Sequence, residues 1–334
     1  MPEWLVEHGI GETRAALVEN GRIIRAEVER DGALRVGTVA TARFAATLAG
    51  RRAVLATLDD GAEVMVDSPP RQVGPGARFT VRVVREAITG SRRGKKAKAV
   101  VVGDDEALGT GPSLHDRLAA DGTPVRPLHA FGPDLLEVAG WSELMEEART
   151  GVVTFPGGTL LIERTEGMTV IDVDGTLDPA PLAVAGARAA AGAIGRLRLG
   201  GSIGIDLPTT DNRAARQAAA DAFDAAMCVP FERTAVNGFG FMQAIVHRPR
   251  ASLMELIAGD QALAETLSLY RRAEREPPPG TLVIRAAAAV AAAARAEHDA
   301  ALSARAGAPV RWQPDPSLTI WQGSAFRTPD ETRS

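Results

Sequence analysis

The chain has 334 residues, 45% of them apolar, with a formal net charge of -4. That length allows two or three domains with a sizeable core, and the charge gives no chain-wide nucleic-acid signature. A single cysteine, Cys228, excludes an internal disulfide and a cysteine-rich zinc site, and no apolar run reaches membrane-spanning length.

The opening MPEWLVEHGIGETR lacks a basic stretch followed by an apolar one, so no secretory signal is expected and the expected location is the cytoplasm. TRAALVENGRIIRAEVER reads as two alternating strands joined at Asn20-Gly21, a strong signal for a type I′ hairpin. Residues 34–86 break into short runs separated by Gly and Pro: RVGTVATARF, AATLAG, RRAVLATLDDG, AEVMVD and ARFTVRVVRE. Five short strands suit a small barrel, and an OB-type barrel is a common module of that size.

The three lysines, Lys95, Lys96 and Lys98, stand with Arg85, Arg92 and Arg93 in one stretch that contains Gly90 and Gly94. This reads either as a solvated loop or as a track for the phosphates of single-stranded nucleic acid. Phe44 and Phe79 in the barrel are candidate stacking residues or core residues. Residues 99–125 are Gly-rich and predict a connector with one short helix. WSELMEEAR predicts a helix with Ser142 as its cap.

GVVTFPGGTLLIERTEG predicts a hairpin turning at Pro156-Gly157-Gly158. MTVID then reads as a strand, 179–199 as a helix, SIGID as a second strand and NRAARQAAADAFDAAM as a second helix. That alternation is a βαβ unit, so the two strands should be parallel. Each predicted strand closes on an aspartate, Asp172 and Asp206, at the end where α/β sheets place ligands. Asp174 follows two residues after Asp172 and should project to the same side. Strand-end aspartates can simply cap the following helices. Three carboxylates without a partner His or Cys would instead hold a hard cation, magnesium or manganese.

MTVIDVDGTLDPA also resembles the nucleophile motif of the haloacid-dehalogenase phosphatases. That family needs a later lysine, and none follows Lys98.

A broader resemblance covers most of the chain in order. TEGMTVIDVD, RLRLGGSIGIDLP and FERTAVNGFGFMQAIVHRPRASL resemble the catalytic core of the ribonuclease E/G family, GGTLLIERTEG its preceding hairpin, and AGAPVRWQPDPSL its ending. The resemblance implies an α/β, α+β multidomain fold: an RNase H-like and DNase I-like catalytic core, an inserted OB-type barrel and a helical C-terminal arm. The corresponding segments would be an N-terminal hairpin (1–33), the barrel (34–86), a basic loop and shortened sensor (87–125), a return to the RNase H-like part (126–150), the catalytic unit (151–258) and the arm (259–334).

It also implies magnesium, or manganese, on Asp172 and Asp206 with Asp174 in support, and hydrolysis of single-stranded RNA to 5′-phosphate and 3′-hydroxyl ends. Arg92, Arg93, Lys95, Lys96, Lys98, Phe44, Phe79 and Arg248 would line the RNA path. This sequence departs from the family pattern in carrying Asp174 for Asn and Gln243-Ala244-Ile245-Val246 for Glu-Met-Ser/Thr-Arg, and in lacking the Cys-x-x-Cys zinc link. An RNA-binding relative without turnover is therefore the alternative, and the expected assembly is a monomer or weak dimer with no structural zinc.

Overall fold

The computed structural model describes residues 1–48, 52–67, 69, 74–90 and 94–329. Strands β1 (Glu3–His8), β2 (Glu12–Glu19) and β3 (Arg22–Arg30) form an antiparallel meander. Asn20 and Gly21 have φ of 50° and 74°, the left-handed backbone that a type I′ turn requires at both positions.

A closed barrel follows, built from β4 (Val39–Thr47), β5 (Ala53–Leu58), β6 (Glu63–Asp67), β7 (Arg78–Arg85) and β8 (Ala97–Val101) in the order β4-β5-β6-β8-β7. Only β6 and β8 pair in parallel. Two expectations are corrected here. The run AATLAG is not a separate strand, because β4 continues through Thr47, and the fifth strand lies beyond residue 86. The barrel interior is filled by Ala, Val and Leu together with Phe44 and Phe79, which are only 6% and 7% exposed. Both rings thus take the core role that the sequence offered beside stacking. A small barrel has no side chains to spare from its own core.

Helix α1 (Leu114–Ala120) is the short helix expected in the connector, started by a capping box between Ser113 and Asp116. Strand β9 (Val125–Leu128) then pairs in parallel with β1, giving a sheet of order β3-β2-β1-β9. Helices α2 (Leu135–Val138) and α3 (Trp141–Thr150) follow. Ser142 is not the cap of α3. The cap is Gly140, in left-handed backbone, and the Ser142 hydroxyl donates to Glu137 at 2.8 Å.

The next unit contains β10 (Val152–Phe155), β11 (Gly158–Arg164), β12 (Thr169–Gly175), α4 (Pro179–Arg196), β13 (Gly201–Asp206), α5 (Arg213–Ala226), β14 (Phe231–Arg233) and β15 (Phe241–Val246). Its sheet runs β10-β11-β12-β13-β15-β14, with β12 and β13 parallel and the other pairs antiparallel. The β10–β11 turn is Pro156-Gly157, Gly158 already belonging to β11. Ile171, Val173, Ile203 and Ile205 are buried in the same core as Ala183, Ala187, Ala190 and Ala191 of α4. Small residues let the helix lie close on the sheet: a Cβ at Gly186 would come within 2.3 Å of Val173. Leu5, Ala16, Ile23 and Ala26 join this core, so α4 lies between the first sheet and this one.

The C-terminal part is not purely helical. After α6 (Leu253–Gly259) and α7 (Gln261–Glu274), β16 (Thr281–Ala286) forms the centre of a small sheet with β17 (Val310–Pro314) and β18 (Ser324–Thr328), around α8 (Ala288–Ala292) and α9 (Ala296–Ala306). Leu282, Val283 and Ile284 are all buried, as a strand covered on both faces requires. A buried charge cluster ties this part to the first sheet. Glu7 accepts from Arg14 at 3.2 Å, from Arg271 at 2.8 Å and from Arg275, while Arg14 donates to the Leu267 carbonyl at 2.9 Å. Among the described residues no helix is long and apolar enough to cross a membrane.

Candidate active site

The second face of the six-stranded sheet is open. In β12, Ile171 and Val173 turn into the core, so Asp172 and Asp174 turn outward; in β13 the same alternation buries Ile203 and Ile205 and exposes Asp206. Asp172 and Asp206 are direct partners in the parallel β12–β13 register, on strands about 4.8 Å apart. Asp206 ends β13, whereas β12 runs on to Gly175 because β11 keeps pairing with it. Asp172 thus lies within a strand rather than at its tip.

Neither carboxylate serves as a helix cap, since α4 is preceded by Asp178 and α5 is capped by Asn212. Among the described residues, neither side chain has a hydrogen-bond or ion-pair partner. Two like charges held opposite each other repel, and an arrangement of this kind is relieved by a cation.

Asp174 stands one row further along, opposite Thr159, and its carboxylate accepts from the Gly175 N–H at 2.8 Å. Among the described residues no three His, Cys, Asp or Glu side chains gather into one metal-ligand group. Asp172 and Asp206, side by side in register, are the residues that could hold a cation. Two carboxylate donors with no nitrogen or sulfur beside them suit magnesium, which keeps several waters of its own.

The pair sits in a row that crosses five strands: Val152, Leu161, Asp172, Asp206 and Phe241. Val152 and Leu161 are 42% and 43% exposed. The Phe241 ring lies over Gly204, where an added Cβ would meet it at 2.6 Å, so glycine in SIGID makes room for an aromatic beside Asp206. Gln243, where the ribonuclease E/G pattern has an acid, pairs with Gly204 in register and donates to the Ser202 hydroxyl at 2.8 Å.

The expected RNA track is only partly visible. Arg92 and Arg93 lie outside the described residues. Lys95 is exposed and exchanges backbone hydrogen bonds with Ile88 at 2.8 and 2.7 Å. Lys96 pairs with Glu63, and Lys98 with Asp67 at 2.5 Å, both on the barrel. Such exposed pairs are worth about 0–1 kcal/mol and yield readily to a phosphate.

Arg248 is held by Glu255, and its Nε is buried without a hydrogen-bond partner among the described residues. Arg196 pairs with Glu147 at 2.9 Å. Arg198 and Arg250 belong to an internal cluster around Glu27 and Glu86, with Arg250 and Glu86 at 3.0 Å. Burial raises the Glu27 carboxyl, but Arg198, Arg250, Arg117 and Arg25 together hold it below the ordinary value. His247 is exposed.

Sequence reasoning passed over Phe239, which is 82% exposed in the loop before β15. The signal available was the turn Asn237-Gly238-Phe239-Gly240, which puts an aromatic where a solvent-facing turn needs none. No protein-family model matches this chain, and a search of curated proteins finds no match.

Proposed function

We propose that the protein is a magnesium-dependent endoribonuclease acting on single-stranded RNA. The observation that carries this reading is the register pairing of Asp172 with Asp206 on an open sheet face, neither side chain partnered among the described residues and Phe241 next in register. The strand orders support the finer reading of the fold. A barrel of order β4-β5-β6-β8-β7 with one parallel pair fits an OB-type module, and β3-β2-β1-β9 with β9 parallel to β1 fits an RNase H-like sheet. The catalytic unit would be the DNase I-like part.

In this reading Asp172 and Asp206 hold the cation, which when bound offsets charge developing on the scissile phosphate and favours a nucleophilic water. The parallel register sets the two residues on neighbouring strands at the same level, within reach of one ion. Asp174 adds negative charge one row away and accepts from backbone. The exposed lysines of the barrel hairpin and the Arg92-Arg93 pair would hold the RNA backbone.

A second reading, an RNA-binding relative without turnover, draws on Gln243. Its amide is occupied by Ser202 and supplies no acid where the ribonuclease E/G pattern has one. The two readings separate in one assay of a labelled single-stranded RNA with magnesium, with chelator and with Asp206→Asn. Magnesium-dependent cleavage lost in the variant supports the enzyme. Tight binding that ignores chelator, with no cleavage, supports the alternative.

A further inference from the structure

We propose that Phe239 is a stacking platform for the nucleobase adjoining the phosphate held at Asp172 and Asp206; this rests on the ribonuclease reading. Phe239 is 82% exposed, yet its backbone is held firmly. The Asn237 side-chain oxygen accepts from the Phe239 N–H at 2.9 Å and from the Phe241 N–H at 3.1 Å. The Thr209 hydroxyl donates to the Phe239 carbonyl at 3.0 Å. The Leu207 N–H donates to the Gly240 carbonyl at 3.2 Å, and Gly240 takes φ of 90° with no room for a side chain against Leu207.

These bonds anchor the loop to the segment following Asp206. Phe239 lies two residues from Phe241, the register partner of Asp206, so at most about 7 Å of backbone separates them. The ring is therefore presented at the rim of the carboxylate pair with little ordering cost left for binding to meet.

The chemistry of the face favours a base over a phosphate as its ligand. Glu163, Asp172, Asp174 and Asp206 are all exposed on this side of the sheet, so it repels RNA backbone except where a cation intervenes. Affinity close to the reaction centre must come from contacts that carry no charge. An aromatic face provides one, because every base has a π-face and stacking tolerates any sequence. The Phe44 and Phe79 rings, buried in the barrel, leave this role open.

The test uses the full chain with a fluorescently labelled single-stranded RNA and with the same RNA made abasic at single positions. Binding is followed by anisotropy with calcium in place of magnesium, so that a cation is present at the carboxylate pair, and cleavage under single-turnover conditions in magnesium. Phe239→Ala should weaken binding of the intact RNA about tenfold, equivalent to about 1.4 kcal/mol, and Phe239→Trp should restore it with its indole emission quenched by RNA. One abasic position should cost the wild type the same factor and cost Phe239→Ala nothing further.

Equal binding by Phe239→Ala and wild type would overturn the proposal. So would a loss in the variant that is the same on intact and abasic RNA. Self-association of the wild type that disappears in the variant would assign the ring to a second copy of the chain instead. A wild-type protein that neither binds nor cleaves RNA would overturn the ribonuclease reading itself, and shows without any variant.

Discussion

Asp172 and Asp206 face each other across a parallel strand pair, each exposed and neither engaged by another side chain among the described residues. Their mutual repulsion is carried by the metal-free protein. Asp206→Asn should leave the fold intact and give a metal-free thermal midpoint no lower than that of wild type. Magnesium at one hundred times its dissociation constant should stabilise the wild type by about 2.7 kcal/mol and the variant far less. Calorimetry with and without magnesium measures both quantities, and equal shifts in the two proteins would remove the metal from this pair.

The Glu7 cluster makes stability sensitive to acid. Burial raises the Glu7 carboxyl, but Arg14, Arg271 and Arg275 more than offset this and leave it below its ordinary value. A lowered carboxyl contributes stability that is present above its unfolded value, near 4.5, and is lost as pH falls through the folded one. Glu7→Gln should therefore destabilise at neutral pH by about 3–5 kcal/mol, because three guanidinium groups lose a buried counter-charge. Below pH 4 the gap should narrow. Denaturant midpoints across pH would show this, and a gap constant with pH would contradict it.

Phe44 and Phe79 are expected to matter for packing alone. Each Phe→Ala change should cost about 3–5 kcal/mol of barrel stability, whereas Phe→Leu should cost much less and leave RNA affinity unchanged within twofold. A clear loss of RNA binding in folded Phe44→Leu or Phe79→Leu protein would return these rings to the binding surface.

These two residues also show where the sequence was legible and where it was not. The βαβ unit at 168–226 was readable, because period-two burial in MTVID and SIGID and the 3.6-residue periods between them each have one solution. So was the Asn20-Gly21 hairpin, whose backbone few other residues accept. Phe44 and Phe79 were ambiguous, since a strand alternates faces but the sequence does not say which face is inside. Strand β8 was hidden because its alternation, Ala97, Ala99 and Val101 with Lys98 and Val100, continues a basic stretch that reads as loop.

Strand β16 lies in the part expected as a helical arm, where α8 spans only Ala288–Ala292. The Ser142 cap failed for a different reason, the left-handed Gly140 that sets the helix start. Phe239 escaped notice because its one signal, an aromatic within the turn Asn237-Gly238-Phe239-Gly240, does not say what lies beside it. Only the register places it near Asp206.

The lysines of the barrel hairpin should contribute unequally to RNA affinity. Lys95 has no ion pair among the described residues, while Lys96 and Lys98 already meet Glu63 and Asp67. Lys95→Ala should lower the log-log salt slope of single-stranded RNA binding by about 0.7, the value of one phosphate contact. Lys96→Ala and Lys98→Ala should each lower it by less. Three unchanged slopes would make the hairpin a solvated element only.

Hydrolysis of RNA at Asp172 and Asp206 would show in the products formed from an internally labelled single-stranded RNA. With magnesium, the wild type should cut within the chain and leave 5′-phosphate and 3′-hydroxyl ends. Chelator should stop the reaction, and Asp172→Asn and Asp206→Asn should each reduce the rate by at least a thousandfold, a loss of about 4 kcal/mol in transition-state stabilisation. Cleavage that persists in either variant, or that survives chelation, would contradict the assignment of Asp172 and Asp206 as its catalytic pair.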